Sequence, residues 1–66
     1  MKQLTKEQSK IVARKIYDFA EMLVYTHEPG KMGRIIARIE MLTEMITNGY
    51  DEIYNFEEAF KNISAV

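Results

Sequence analysis

The one histidine, His27, stands beside Glu28 in the run His27-Glu28-Pro29-Gly30. A catalytic base needs a nucleophile or acid held next to it and a cavity that excludes water. The chain has no cysteine and no serine placed to serve this turn. His27 therefore reads as a residue at a helix C-terminus, where its protonated form favours the dipole. One histidine and no cysteine also fall short of a usual zinc ligand set. Glu40 and Glu44 share a helix face, but a carboxylate-bridged di-metal bundle adds Glu-x-x-His, which this sequence lacks. They read as a solvated face, and Asp51-Glu52 and Glu57-Glu58 as acids that favour a helix start. No catalytic, cofactor-binding or metal-binding residue is assigned. The expectation is a protein that is not an enzyme and has no small-molecule substrate.

Chemistry of binding is better represented. Lys6, Lys10 and Arg14 recur every four residues, with Lys2 before them and Lys15 nearby. Like charges at that spacing repel by a few tenths of a kcal/mol per pair, and lysines in a first turn oppose the helix dipole. Such a row suits a phosphate backbone or an acidic partner; it suits equally the acidic C-terminal end of an antiparallel second helix. Met22, Met41 and Met45 lie at the edges of the apolar stripes, where a flexible thioether adapts to a partner's shape. Tyr17, Tyr25, Tyr50 and Tyr54 offer large contact area with a polar tip. Tyr50 and Tyr54 are expected to pin the last helix to the rest.

These residues need three helices to position them. Thr5 and Gln8 have capping-box spacing, and nothing breaks a helix from there to about Thr26. His27-Glu28-Pro29-Gly30 reads as a turn, because Pro29 disfavours helix at the residue before it. A second helix is expected from about Lys31 to Thr47, closed by Asn48-Gly49. A shorter third helix is expected over about 51–63. Asn55 and Glu58 repeat cap spacing inside it, so an isolated turn at its start is a variant of that reading. Ser64-Ala65-Val66 is expected to fray. Gly33 reads either as a point of close helix approach or as the mark of a loosely started helix.

The apolar spacing agrees. Val12, Ile16, Phe19 and Leu23 fall at intervals of four, three and four, as do Ile35, Ile39, Leu42 and Ile46. Ile53, Phe56, Phe60 and Ile63 follow three, four and three. This is the rhythm of helices packed nearly antiparallel, and a short turn makes the first two neighbours. The fold class is all-α: a helical hairpin (about 5–26 and 31–48) plus a third helix, in a single domain spanning 1–66.

Both stripes are wider than one neighbour requires. On the first helix the core line is flanked by Ala13, Tyr17, Ala20 and Val24 on one side and by Ile11 and Met22 on the other. On the second, Met32 and Ile36 flank one side, Met41 and Met45 the other. One third helix of a dozen residues covers one flank of part of the hairpin. Leaving several such side chains in water forgoes several kcal/mol at ~25 cal/mol per Å², comparable with the whole stability of a small domain. The expectation is a homodimeric bundle with Ile11, Met22, Tyr25, Met41 and Met45 at an oligomer or partner interface.

Composition bounds what else is possible. A chain of 66 residues has a thin stability margin, and disulfides are excluded by the lack of cysteine. Residues 1–38 hold eight Lys/Arg against four Asp/Glu, a net of +4; residues 39–66 hold one against six, a net of -5. With an overall charge of -1, the chain lacks the strongly basic balance of most nucleic-acid binders. No apolar run is long enough for a signal peptide core or a membrane span, so a cytoplasmic protein with no membrane partner is expected. The expected function is a protein–protein interaction module, a regulator, adaptor or inhibitor of the kind phages and mobile elements encode, binding itself and a larger protein. The alternative is a nucleic-acid-binding dimer using Lys6, Lys10 and Arg14.

Overall fold

The computed structural model describes residues 1–65, and its regular structure is helical: α1 Lys6–Tyr25, α2 Pro29–Asn48 and α3 Phe56–Ser64. Val66 lies outside the described residues. α1 begins as its cap residues dictate. The Thr5 hydroxyl accepts from the Gln8 N–H at 3.1 Å, and the Gln8 side chain accepts from the Thr5 N–H at 3.0 Å. It ends at Thr26, whose hydroxyl turns back to donate to the Met22 carbonyl at 2.7 Å.

α2 starts at Pro29, earlier than the expected Lys31. Proline at the first helical position loses nothing, because the N–H it lacks has no intrahelical partner there and its φ is already helical. The restriction Pro29 imposes falls on Glu28, which is extended at φ -86°, ψ 120°. The turn is thus only Thr26–Glu28, and two helices of 20 residues each run back antiparallel from it.

Val12 and Phe19 of α1 meet Ile35, Leu42 and Met45 of α2, and Tyr50, Phe56 and Ala59 close the core below them. Ile16, Leu23, Ile39 and Ile46 lie half-buried against it, so the core line is the one expected. No polar or charged side chain is buried among the described residues.

α3 is shorter than expected at its start and runs on through Ser64. Asp51 explains the start: its carboxylate accepts from the Ile53 N–H at 3.1 Å and its carbonyl from the Tyr54 N–H at 3.1 Å, folding 51–54 into a turn. Asp51-Glu52 therefore precedes the helix instead of opening it, and Ile53 is 78% exposed, outside the apolar line it was expected to join. The helix proper opens on the Asn55/Glu58 capping box, with Asn55 Oδ1 accepting from the Glu58 N–H at 2.8 Å. Glu57 and Glu58 fill its first turn as expected.

A contact not foreseen ties the two ends of this arrangement. The Lys2 N–H donates to the Tyr50 carbonyl at 2.8 Å, and the Tyr50 N–H donates to the Lys2 carbonyl at 2.9 Å, an antiparallel bridge. The N-terminal strap thus crosses the end of α2, with Leu4 packed on the core. Gly49 makes it possible: its φ of 83° and ψ of -157° lie in a region open essentially to glycine, and a Cβ there would overlap the Lys2 carbonyl. Gly33, by contrast, has open space where a side chain would sit, so it marks no close helix approach.

Candidate interaction surface

Which side of the hairpin stays open follows from simple geometry. Successive helical residues are about 100° apart, so the residue before a core position lies on one flank and the residue after it on the other. Antiparallel helices reverse the sense of rotation seen from one end. The "before" positions of α1 and α2 therefore share one face of the hairpin and the "after" positions share the other.

The "before" face carries Ile11, Lys15, Asp18 and Met22 on α1 and Arg34, Arg38, Met41 and Met45 on α2. α3 lies on this side. Met41 and Met45 line a groove of about 300 Å³ with Tyr50, Tyr54, Ala59 and Ile63, rimmed by Glu44, Asp51 and Asn62. Tyr50 is buried and meets Phe56 edge-on at 6.1 Å, while Phe56 stacks on Phe60 at 5.6 Å. The expectation that Tyr50 pins α3 holds; Tyr54 remains exposed at the groove's edge. Met45 departs from its expected place at an interface. It is 2% exposed, covered by the chain's own third helix, and offers a partner nothing. Ile11, Met22 and Met41 are exposed, but Lys15, Asp18, Arg34 and Arg38 alternate with them. Tyr25, 76% exposed at the end of α1, is one step from the turn.

The "after" face carries Ala13, Tyr17, Ala20 and Val24 on α1 and Ile36, Glu40, Thr43 and Thr47 on α2. All eight are exposed, and Glu40 is the one charge among them. The two threonines are less polar than their type suggests. Thr43 donates to the Ile39 carbonyl at 2.8 Å and Thr47 to the Thr43 carbonyl at 3.1 Å, so each hydroxyl is satisfied on its own helix. α3 leaves this face uncovered.

Lys6, Lys10 and Arg14 are all exposed along the outside of α1. Lys10 pairs with Glu7 at 3.7 Å and Arg14 with Asp18 at 3.4 Å, both on the same helix. Arg14 also lies over the Tyr17 ring at 5.6 Å. Among the described residues no ion pair joins α1 to α2, so the acidic end of α2 makes no direct contact with the row. His27 is exposed in the short turn. Among the described residues no three His, Cys, Asp or Glu side chains converge as a metal site would require. No helix among them is long and apolar enough to cross a membrane.

The signal that separates the two faces was present in the residues flanking each core position. Its meaning depended on which side α3 takes, which no local pattern encodes. Compared with known proteins, the chain matches no family model, no curated protein and no solved structure.

Proposed function

We propose that this chain is a non-enzymatic protein–protein interaction module that pairs with itself and presents its remaining helical surface to a larger protein, as a regulator, adaptor or inhibitor. The observation that supports this reading most is the open side of the hairpin: an exposed run of apolar and methyl-bearing side chains along both long helices. Contiguous apolar surface of that kind marks interaction sites, and a small domain gains most by covering it. The test is the solution mass by light scattering across a concentration series. A stable mass near twice 7.7 kDa is expected. A single-chain mass at every concentration would remove self-pairing from the proposal.

Nucleic-acid binding through Lys6, Lys10 and Arg14 is the weaker reading. Two of the three cations already face carboxylates one turn away, which lowers the positive potential a phosphate backbone would meet. Retention of nucleic acid that falls steeply with salt and is lost in a Lys6→Glu/Lys10→Glu/Arg14→Glu variant would reverse that ranking.

A further inference from the structure

We infer that the self-pairing face is the side of the hairpin opposite α3, and that a second copy of this chain occupies it with α1 lying over the partner's α2. The inference rests on the self-association proposed above and adds which surface pairs and in what orientation. Three observations carry it.

The first is chemical. Of the two hairpin faces, the one bearing α3 alternates apolar residues with Lys15, Asp18, Arg34 and Arg38, whereas the opposite face has Glu40 as its one charge. Ala13, Ala20, Thr43 and Thr47 keep that face low, and the threonine hydroxyls are already bonded to Ile39 and Thr43 carbonyls. A second helical layer can approach without stranding a donor.

The second is size. A helix of 20 residues is about 30 Å long, and the molecule measures 36 × 20 × 16 Å. A face of roughly 30 × 20 Å is about 600 Å² per copy, about 1,200 Å² in a pair, the lower bound of specific interfaces.

The third is charge. α1 and α2 are equal in length and start from one short turn, so Lys10 stands level with Glu44, Tyr17 with Ile36 and Ala20 with Gly33. A twofold axis parallel to the helices stacks α1 of each copy on α2 of the other, antiparallel and at the same level. Tyr17 then meets Ile36 of the second copy, and Ala20 meets the side-chain-free Gly33. Lys6 and Lys10, along the outer edge of α1, come on the side of Glu40 of the second copy, with Glu44 at the outermost edge of that helix, between this face and the α3-side groove that it rims. Neither glutamate has an ion-pair partner among the described residues. Isologous pairing makes each such contact twice.

Four variants test the face and its orientation, each checked for helicity by circular dichroism and read by light scattering. Ala20→Glu places a charge in the middle of the inferred interface, on an exposed site that the monomer's own fold does not use. It is expected to weaken pairing at least about 100-fold, because an unpaired buried charge is strongly unfavourable. Met22→Glu, on the α3 side, is expected to change it less than about threefold. Lys10→Glu is expected to weaken pairing several-fold, and Lys10→Glu/Glu44→Lys to regain it. A natural dimer that Ala20→Glu leaves intact, or that Met22→Glu dissociates, overturns the face while self-pairing stands. Loss of affinity in Lys10→Glu with no recovery in the double variant overturns the orientation. A natural chain that is monomeric at all concentrations overturns the self-pairing reading itself and this face with it.

Discussion

Single residues set the sharpest limits on this chain, and two glycines limit it in opposite directions. Gly49 sits at φ 83° with the Lys2 backbone against it. Alanine there adds a backbone conformation unfavourable by about 1–3 kcal/mol to a steric overlap that only displacement of the N-terminal strap relieves. A domain of this length is stable by roughly 3–10 kcal/mol. Gly49→Ala is therefore expected to lower stability by about 2–4 kcal/mol and to free the Lys2–Tyr50 bridge, read as a fall in urea midpoint and faster exchange of the Tyr50 amide. An unchanged midpoint would mean that the strap does not pack as described. Gly33 has helical neighbours on both sides and open space where a Cβ would go. Gly33→Ala should raise the melting temperature of the monomeric Ala20→Glu background by about 4–8 °C, the equivalent of about 1 kcal/mol. A fall in that background would show that the site is not open.

At the scale of elements, caps govern what apolar spacing leaves undecided. α3 has nine residues, too few to be stable alone, yet it covers Met45, and its Phe56 packs on Tyr50. Its start depends on Asn55, which satisfies the Glu58 N–H and is itself exposed. Asn55→Ala is expected to weaken the helix by about 1 kcal/mol, which speeds amide exchange within α3 about fivefold while α1 keeps its protection. Equal acceleration in α1 and α3 would mean that the third helix opens only with the whole fold.

The same comparison explains what the amino-acid sequence disclosed and what it withheld. Thr5/Gln8, Asn48-Gly49 and Asn55/Glu58 were legible because each acts through neighbours a few positions away. The core line from Val12 to Ile46 was legible because its period is that of the helix. Pro29 opens α2 instead of standing in the turn, because proline terminates one helix and opens another with equal ease, and the choice depends on how short a turn the packed hairpin tolerates. Ile53 stands outside the core although its interval matches an apolar stripe, because Asp51, two residues earlier, bends the backbone away. The Lys2–Tyr50 bridge joins residues far apart along the chain, with no alternation to announce it. Met45 reads as an interface residue because it sits at the edge of the apolar stripe; only the side on which α3 settles decides that this edge is buried.

For the molecule as a whole, that decision links stability to association. The core is built mostly from one line of each long helix and the short α3, so a second layer on the open face would add burial to a domain whose own margin is thin. Pairing through that face then couples to folding, and stability becomes a function of concentration. Unfolding enthalpies of about 0.7 kcal/mol per residue place a two-chain transition of this size near 90 kcal/mol. Mass action then moves the melting temperature by about 5 °C for each tenfold change in protein concentration. The natural chain is expected to show that slope in scanning calorimetry over a hundredfold range. Ala20→Glu is expected to melt at a lower, concentration-independent temperature with the same helical signal before the transition. A flat natural chain would mean that the hairpin and α3 suffice for folding. The open face would then contribute nothing to stability, and its apolar residues would be left for a different protein to cover.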